Sequence, residues 1–300
     1  MAAIPGKRER DNLWQLLQMA REEDLGSSGD ITSTILPGAV TAHALFRARQ
    51  ETVFCGGPLL ETMAISYDGN IHTKLLVEEG CRVEAGTPLA EWAGPAKGIM
   101  AAERVALNFL QHLCAVATTT RMYVDAVEST GVGIYDTRKT TPAWRELEKY
   151  AVRVGGGLNH RMGLYDAVLI KDNHLAVLAR EEQAHGVSAD IGEELQRVRP
   201  FLSVNAFIEL EVDTLEQFEE ALRLPVDIIM LDNMSNDQLR KAVRIRREAG
   251  LADRIELEAS GGITLENVRS VAETGVERIA IGALTHSAGS IDIALDIELD

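Results

Sequence analysis

Cysteine is scarce in this chain of 300 residues: Cys55, Cys81 and Cys114 are far apart and form no Cys-x-x-Cys pair. Their number and spacing give neither a disulfide framework nor a zinc knuckle, so we expect three buried apolar thiols. Long apolar runs are also missing, because residues 1–12 are charged and no window has the length of a membrane span. The sequence therefore predicts a globular protein of the cytoplasm.

The chain is acidic, with 46 Asp and Glu against 30 Lys and Arg and a net charge of −16. This charge opposes non-specific binding to nucleic acid and to anionic membranes, so neither is expected as a partner. It also repels anionic small molecules. A site for such molecules must gather basic side chains locally, which makes basic clusters informative in this sequence.

The order of apolar patterns predicts two domains of α/β class. A helix at 12–23 and β-leaning segments at 42–46, 71–77 and 88–93 precede a long buried helix at 101–128. Six short apolar runs then alternate with helical patterns: 133–135, 167–170, 206–210, 227–231, 255–258 and 278–281. Helices at 214–222, 235–249 and 264–274 each open with a capping Ser or Thr.

This alternation indicates βα units in a parallel barrel that is open or incomplete. A doubly wound sheet is the rival fold. It is disfavoured because no Gly-x-Gly-x-x-Gly turn follows the first strand, and the glycines at 155–157 come after a helix instead.

Basic residues follow the first two of these strands. In a βα barrel the carboxyl ends of the strands face the ligand site. The basic set, which would surround one mouth, comprises Arg138, Lys139, His160, Arg161 and Lys171. Such a cluster suits a dicarboxylate or a polyphosphate, since Arg binds carboxylates through paired donors and Lys acts as a point charge. For Lys139 a solvated surface charge remains the alternative, and no close metal-binding spacing surrounds His160.

Acidic and glycine-rich segments follow the later strands. Glu211 and Asp232 end successive strands and are suited to Mg²⁺, which prefers oxygen ligands together with substrate phosphates, although either could instead cap a helix. The last two strands end in residues that could cradle a phosphate through bare backbone N–H groups: Ser260, Gly261, Gly262 and Gly282. Ordinary turn glycines are the alternative.

Several longer motifs, taken together, resemble the quinolinate phosphoribosyltransferase family. They are EEDLGSSGDITS at 22–33, ERVALNF at 103–109, DTRKTTP at 136–142, KYAVRVGGGLNHRMG at 149–163, IKDNH at 170–174, ELEV at 209–212, IMLDN at 229–233 and ASGGI at 259–263. Any one of these motifs is weak evidence, but their combination and order cover nearly the whole chain.

The resemblance implies an N-terminal α/β sandwich over 1–115, rejoined by 288–300, and an open α/β barrel over 116–287. It implies a homodimer in which Arg104 is donated across the interface. The quinolinate residues would be Arg104, Arg138, His160, Arg161 and Lys171. Those for phosphoribosyl pyrophosphate would be Lys139, Glu211, Asp232, Ser260, Gly261, Gly262, Gly282 and His286, with Mg²⁺ near Glu211 and Asp232 held mainly through substrate and water; Lys139, Lys171, Glu211 and Asp232 would be catalytic.

The implied reaction is phosphoribosyl transfer to quinolinate with decarboxylation, giving nicotinate mononucleotide, pyrophosphate and CO₂ in de novo NAD biosynthesis. Three alternatives stay open at this stage. One is a related protein with another acceptor, such as the paralogue associated with molybdenum transport operons. The others are a non-catalytic anion sensor and a barrel aldolase or isomerase with Lys171 as a Schiff-base amine.

Overall fold

The computed structural model describes residues 4–37, 40–171, 173–174 and 187–299. The chain divides into two compact units that are interleaved in sequence. The first comprises Met1–Arg121, Lys139–Gly157 and Ala283–Asp300, and the second comprises Met122–Arg138 and Leu158–Gly282. The domain boundary at 115/116 stays a prediction. Asp172, part of the IKDNH motif, lies outside the described residues.

The elements are numbered here in chain order. The helices are α1 (Lys7–Leu25), α2 (Leu60–Tyr67), α3 (Ala96–Ala126), α4 (Arg145–Val154), α5 (Val187–Val198), α6 (Leu215–Ala221), α7 (Asn236–Glu248), α8 (Val268–Ala272) and α9 (Ala283–His286). The strands are β1 (Thr41–Ala48), β2 (Thr52–Val53), β3 (His72–Leu75), β4 (Arg82–Val83), β5 (Pro88–Pro95), β6 (Gly133–Tyr135), β7 (Val168–Ile170), β8 (Ile208–Val212), β9 (Ile228–Asp232), β10 (Glu256–Ser260), β11 (Arg278–Ala280) and β12 (Ile293–Leu299).

The first unit contains an antiparallel sheet of order β12-β1-β5-β3. β1 alternates exposed or half-buried residues with buried ones, so one face of this strand packs into a core. Phe46 and Trp92 meet there edge to face, with ring centroids 4.8 Å apart. α1 buries Leu13, Leu16 and Leu17, which lie at helical spacing on one side of the helix.

The second unit contains a parallel sheet of six strands in the order β6-β11-β10-β9-β8-β7. The chain therefore enters at one edge strand, β6, passes to the other edge, β7, and fills the sheet back from β8 to β11. Because all strands run parallel, their carboxyl ends share one edge, where polar residues follow β6, β7, β8 and β9 and two glycines follow β10. This is the α/β fold with a separate antiparallel N-terminal domain that the sequence predicts.

Two local expectations are wrong. Cys81 is exposed, whereas Cys55 and Cys114 are buried as expected. Thr264 does not cap the helix predicted at 264–274, because α8 begins at Val268 after Asn267, which makes no side-chain cap hydrogen bond. The other two predicted caps are present, since Thr214 and Ser235 each form a reciprocal capping box with a Gln three residues later. Within the described residues, no helix has the length and apolarity to cross a membrane.

Candidate anion-binding site

The end of β6 is fixed to the segment at 159–161 by one buried carboxylate. Asp136 follows β6 directly and is 0% exposed. Its Oδ1 accepts the backbone N–H of His160 at 2.9 Å, and its Oδ2 accepts the Asn159 side-chain amide at 2.6 Å. Two predicted basic residues, His160 and Arg161, are thereby held beside the end of a strand. Asp136 belongs to a quoted motif, but its orienting role was not predicted.

Two arginines, Arg138 and Arg161, belong to this strand end. Arg161 is buried and donates to the carbonyl of Ala167 at 3.1 Å. Burial lowers the pKa of Arg161 below its ordinary value and the positive charge of Arg138 lowers it further, while the negative charge of Glu209 opposes them. A buried guanidinium beside a second positive charge is unfavourable by itself, so the two arginines fit a site for an anionic ligand. Of these two, Arg138 is exposed and accessible to such a ligand.

The ends of β7, β8 and β9 bring a cation and two carboxylates to the same sheet edge. The ammonium group of Lys171 is paired with the carboxylate of Glu211. Glu211 lies opposite Met230 in the register of β8 and β9, so Asp232, two residues beyond Met230, lies on the same face as Glu211. Oδ2 of Asp232 accepts the side-chain amide of Asn233 at 2.6 Å. Neighbouring hard oxygen donors of this kind fit Mg²⁺.

A glycine loop follows β10 and borders a cavity of about 360 Å³. The backbone of Gly261 has a φ of +89°, and a Cβ there would overlap the side chain of Asn233, so only glycine fits without strain. Asn233 itself has a φ of +53°, and its N–H donates to the carbonyl of Ser260 at 2.9 Å. The cavity is lined by residues of both strand ends, including Asn233, Ser260, Gly261, Gly262 and Asn267.

Four titratable side chains, three of them missed from the sequence, meet on one face of the parallel sheet. Nε2 of His160 lies 2.8 Å from Oε2 of Glu209 and 3.5 Å from Oε1 of Glu258. Nε of Arg278 donates to Oε2 of Glu258 at 2.7 Å. Both carboxylates are 0% exposed. Glu209, Glu258 and Arg278 are called the buried charge cluster below.

The protonation of His160 is set by opposing contacts. Burial lowers its pKa, but Glu209 and Glu258 outweigh burial and raise the pKa from 6.5 to about 9. Nδ1, however, accepts the N–H of Arg161 at 2.8 Å, so a second ring proton would face a donor. This hydrogen bond needs an unprotonated Nδ1 and so opposes the effect of the carboxylates, and it places the proton that the ring carries on Nε2.

The two carboxyl groups differ in pKa. Burial and the neighbouring Glu258 raise the pKa of Glu209, whereas for Glu258 the effect of burial is outweighed by His160 and Arg278, which lower its pKa. The ligand atoms of His160, Glu209 and Glu258 lie within 4.8 Å of one another, a spacing that could suit a metal ion. Arg278 already supplies positive charge there, which disfavours a second cation.

Three predicted site residues belong to the first unit. Arg104 lies on α3 and is exposed, as are Lys139 and His286. The carbonyl of Lys139 accepts the hydroxyl of Thr285 at 2.7 Å, which fixes the backbone that carries this lysine. His286 ends α9, and its Nδ1 contacts the hydroxyl of Ser287 at 2.6 Å. In the second unit, Gly282 follows β11 at the same sheet edge as the glycine loop.

Fold and site together define a class: an α/β protein whose parallel sheet presents paired arginines, carboxylates and a glycine loop at the carboxyl ends of its strands. The chain matches the family models for the C-terminal domain of quinolinate phosphoribosyl transferase over 116–296 and for its N-terminal domain over 30–114. It belongs to the quinolinate phosphoribosyltransferase family.

Individual relatives agree with this assignment. The chain is 40% identical over 293 residues to nicotinate-nucleotide pyrophosphorylase, carboxylating, of Mycobacterium leprae, covering 96% of this chain and 98% of that protein. It is 39% identical over 277 residues to a probable nicotinate-nucleotide pyrophosphorylase, carboxylating, of Bacillus subtilis, covering 92% and 90%. The solved nicotinate-nucleotide pyrophosphorylase of Francisella tularensis is 33% identical, with a TM-score of 0.86 over 96% of this chain and 97% of that one.

Proposed function

We propose that this protein is a pentosyltransferase that transfers the phosphoribosyl group of phosphoribosyl pyrophosphate to quinolinate and releases pyrophosphate and CO₂. The product is nicotinate mononucleotide, an intermediate of NAD biosynthesis. The observation that carries the proposal is the buried guanidinium of Arg161 beside the end of β6, where the positive charge of Arg138 acts on it and a bound anion would offset both charges. A pyridine dicarboxylate supplies two carboxylates for such donors, whereas a monocarboxylate supplies one.

The glycine loop after β10 supports the other half of the proposal. Its positive φ angles and its lack of side chains at Gly261 and Gly262 leave backbone groups open towards the adjacent cavity. Exposed backbone N–H groups bind a phosphate without steric hindrance. We assign this loop, with Ser260 and Gly282, to the 5′-phosphate of phosphoribosyl pyrophosphate, and we add His286 to that site.

The residues divide the chemistry between them. The pyridine nitrogen forms a bond to C1 of the ribose while the bond from C1 to pyrophosphate breaks, and C1 gains positive character as this happens. Glu211 and Asp232 are suited to stabilise that charge, and Lys139 is suited to stabilise the departing pyrophosphate. Mg²⁺, when bound near Glu211 and Asp232 through substrate and water, supplies positive charge to the leaving group.

Decarboxylation follows once the ring nitrogen is cationic. The bond between the ring carbon beside the nitrogen and its carboxylate breaks, its electrons move towards the cationic ring, and a proton from solvent replaces CO₂. The protein needs only to orient the carboxylate without protonating it, a task suited to Arg138, Arg161 and Lys171. No covalent intermediate on the protein is required.

We further propose a cytoplasmic homodimer in which Arg104 of one chain completes the quinolinate site of the other. Its support is the family resemblance together with the exposure of Arg104 on α3.

A stoichiometric assay tests the proposed function. The purified protein is given Mg²⁺, phosphoribosyl pyrophosphate and quinolinate or nicotinate, and CO₂ and nicotinate mononucleotide are measured. We expect one CO₂ per nucleotide from quinolinate and little product from nicotinate, because the paired arginines require two carboxylates. Equal use of nicotinate would overturn the assignment of the basic site, and product from neither would favour an anion sensor.

The matched variant for this assay is Arg161→Ala, with Arg161→Lys beside it. The alanine variant is expected to lose quinolinate turnover while it still binds phosphoribosyl pyrophosphate. Lysine restores charge but not the paired donors, so recovery should be partial.

A further inference from the structure

We infer that Glu209, in the buried charge cluster, is a positioning residue for the quinolinate site and acts through His160 on Arg161. The inference deepens the proposed function and rests on it, since it concerns the same arginine.

Glu209 is a buried carboxylate with few compensating contacts. Glu209 is 0% exposed, and within the described part of the chain neither of its oxygens makes a hydrogen bond of good geometry. Its close contact is Nε2 of His160, at 2.8 Å. A buried carboxylate with so little compensation is unfavourable for folding, and such groups are kept where they serve a function. A Leu at this place in a parallel strand would be the stabilising choice.

The His160 ring connects Glu209 to the backbone of Arg161. The His160 ring lies between Glu209 on one side and the backbone of Arg161 on the other, because Nδ1 accepts the Arg161 N–H at 2.8 Å. The backbone N–H of His160 is in turn held by Asp136 at 2.9 Å. The ring of Phe207 meets the His160 ring edge to face, with centroids 5.3 Å apart. Rotation of the imidazole would therefore release the backbone from which the Arg161 guanidinium extends.

Arg278 anchors the buried charge cluster. Arg278 binds Glu258 at 2.7 Å, and its guanidinium lies 3.8 Å from the ring centroid of Tyr135. With Glu258 thus held, its second oxygen faces His160 at 3.5 Å. The imidazole consequently faces two carboxylates from two different strands, β8 and β10. The negative charge on the Nε2 side of the ring and the Arg161 N–H on its Nδ1 side together favour the observed orientation of the imidazole.

The experiment compares Glu209→Leu with Glu209→Gln. Leu removes the group that orients His160, and we expect the KM and Kd for quinolinate to rise about tenfold or more, with the Kd for phosphoribosyl pyrophosphate within about twofold of wild type. Gln keeps an oxygen that can accept Nε2–H and should restore most of the quinolinate affinity. Glu256→Leu is the matched control, because Glu256 also contacts Arg278 but is half-exposed, and it should bind quinolinate as wild type does.

A double-mutant cycle with His160→Asn tests the route of the effect. Asn can still accept the Arg161 N–H but does not reach Glu209, so adding Glu209→Leu to it should change quinolinate affinity little further. Additive effects, unchanged quinolinate affinity in Glu209→Leu, or equal loss of both substrates would each overturn the inference. If Glu209→Leu does not fold, Glu209→Gln in the wild-type and His160→Asn backgrounds is read the same way. A wild-type protein that does not use quinolinate would instead refute the proposed function.

Discussion

At the scale of single residues, Glu258 shows how a carboxylate stays ionised inside a protein. It is fully buried, which would favour the protonated form, yet Arg278 and His160 hold its pKa below the ordinary value of 4.5. Glu209 opposes them with its own negative charge. The folded state therefore binds fewer protons at Glu258 than the unfolded state does. Its contribution to stability is present above pH 4.5 and is lost as the pH falls through the folded pKa.

The pH dependence of unfolding measures that contribution. Glu258→Gln should be less stable than wild type at neutral pH, because Arg278 loses its buried partner. Its free energy of unfolding should then fall less steeply than that of wild type as the pH drops below about 4.5. Denaturant unfolding between pH 3 and 7 gives both slopes, with Glu256→Gln as the exposed control that should follow wild type. Parallel curves for Glu258→Gln and wild type would contradict the assignment.

The sequence identifies the residues at strand ends but not the buried charge cluster. Lys171 and Glu211 directly follow apolar runs, so their place at the sheet edge is readable from local pattern, whereas Arg161 follows no such run. Glu209 and Glu258 lie within such runs, two residues before Glu211 and Ser260, and that spacing of two is the one signal that they share a face. Glu209 and Glu258 contact His160 only because of the order of the strands in the sheet, and the local sequence pattern does not predict that order.

At the scale of elements, the loop after β10 combines two constraints on one glycine. Gly261 has a positive φ, and its lack of a Cβ leaves room for Asn233. Gly250 also has a positive φ, of +70°, but apart from its chain neighbours no atom of the described residues lies within 4 Å of the place of a Cβ. A comparison of alanine substitutions at these two glycines therefore separates the effect of backbone strain from the effect of overlap with a neighbouring side chain.

Gly261→Ala and Gly250→Ala should therefore share a loss of stability but differ in function. Each is expected to lose about 1–3 kcal/mol of unfolding free energy from the strained φ. Gly261→Ala should in addition weaken binding of phosphoribosyl pyrophosphate, because Asn233 must move away from the loop. Calorimetric titration with that ligand and thermal unfolding measure the two effects. Equal affinities in the two variants would argue against the phosphate assignment of this loop.

Element boundaries were predictable only in part. β6 lies where the apolar run predicts it, but β8 and β10 each extend two residues beyond theirs, through Val212 and Ser260. Both extensions take in polar residues that continue the backbone pairing while their side chains face the ligand site. A hydrophobic pattern indicates which side chains are buried. Where a strand ends in a functional site, its backbone hydrogen bonds continue past the last apolar residue, so the pattern predicts too short a strand.

At the scale of the whole molecule, the proposed sharing of Arg104 between two chains can be tested by complementation. Arg104→Ala and Lys171→Ala chains, each inactive alone, are unfolded together and refolded as a mixture. Random pairing makes half of the dimers mixed, each with one intact site, so about a quarter of wild-type activity is expected.

The control mixture combines Arg161→Ala with Lys171→Ala. Both substitutions lie in the second unit, so every site in a mixed dimer keeps one defect and no activity should return. If the Arg104→Ala mixture also stays inactive, Arg104 does not act across an interface.

The pairing of β12 with β1 has a consequence for how the protein is made. Ala48 lies opposite Ile293, so the strand beside β1 is translated only after the entire parallel sheet. While the ribosome is still at work, β1 has an open edge that can pair with β1 of another nascent chain on the same messenger. The strands of the second unit are all translated before β12. During synthesis the antiparallel sheet thus lacks β12 until the other strands have been made. Slow translation of β12 would prolong the exposure of the β1 edge to holdase chaperones and to misassembly.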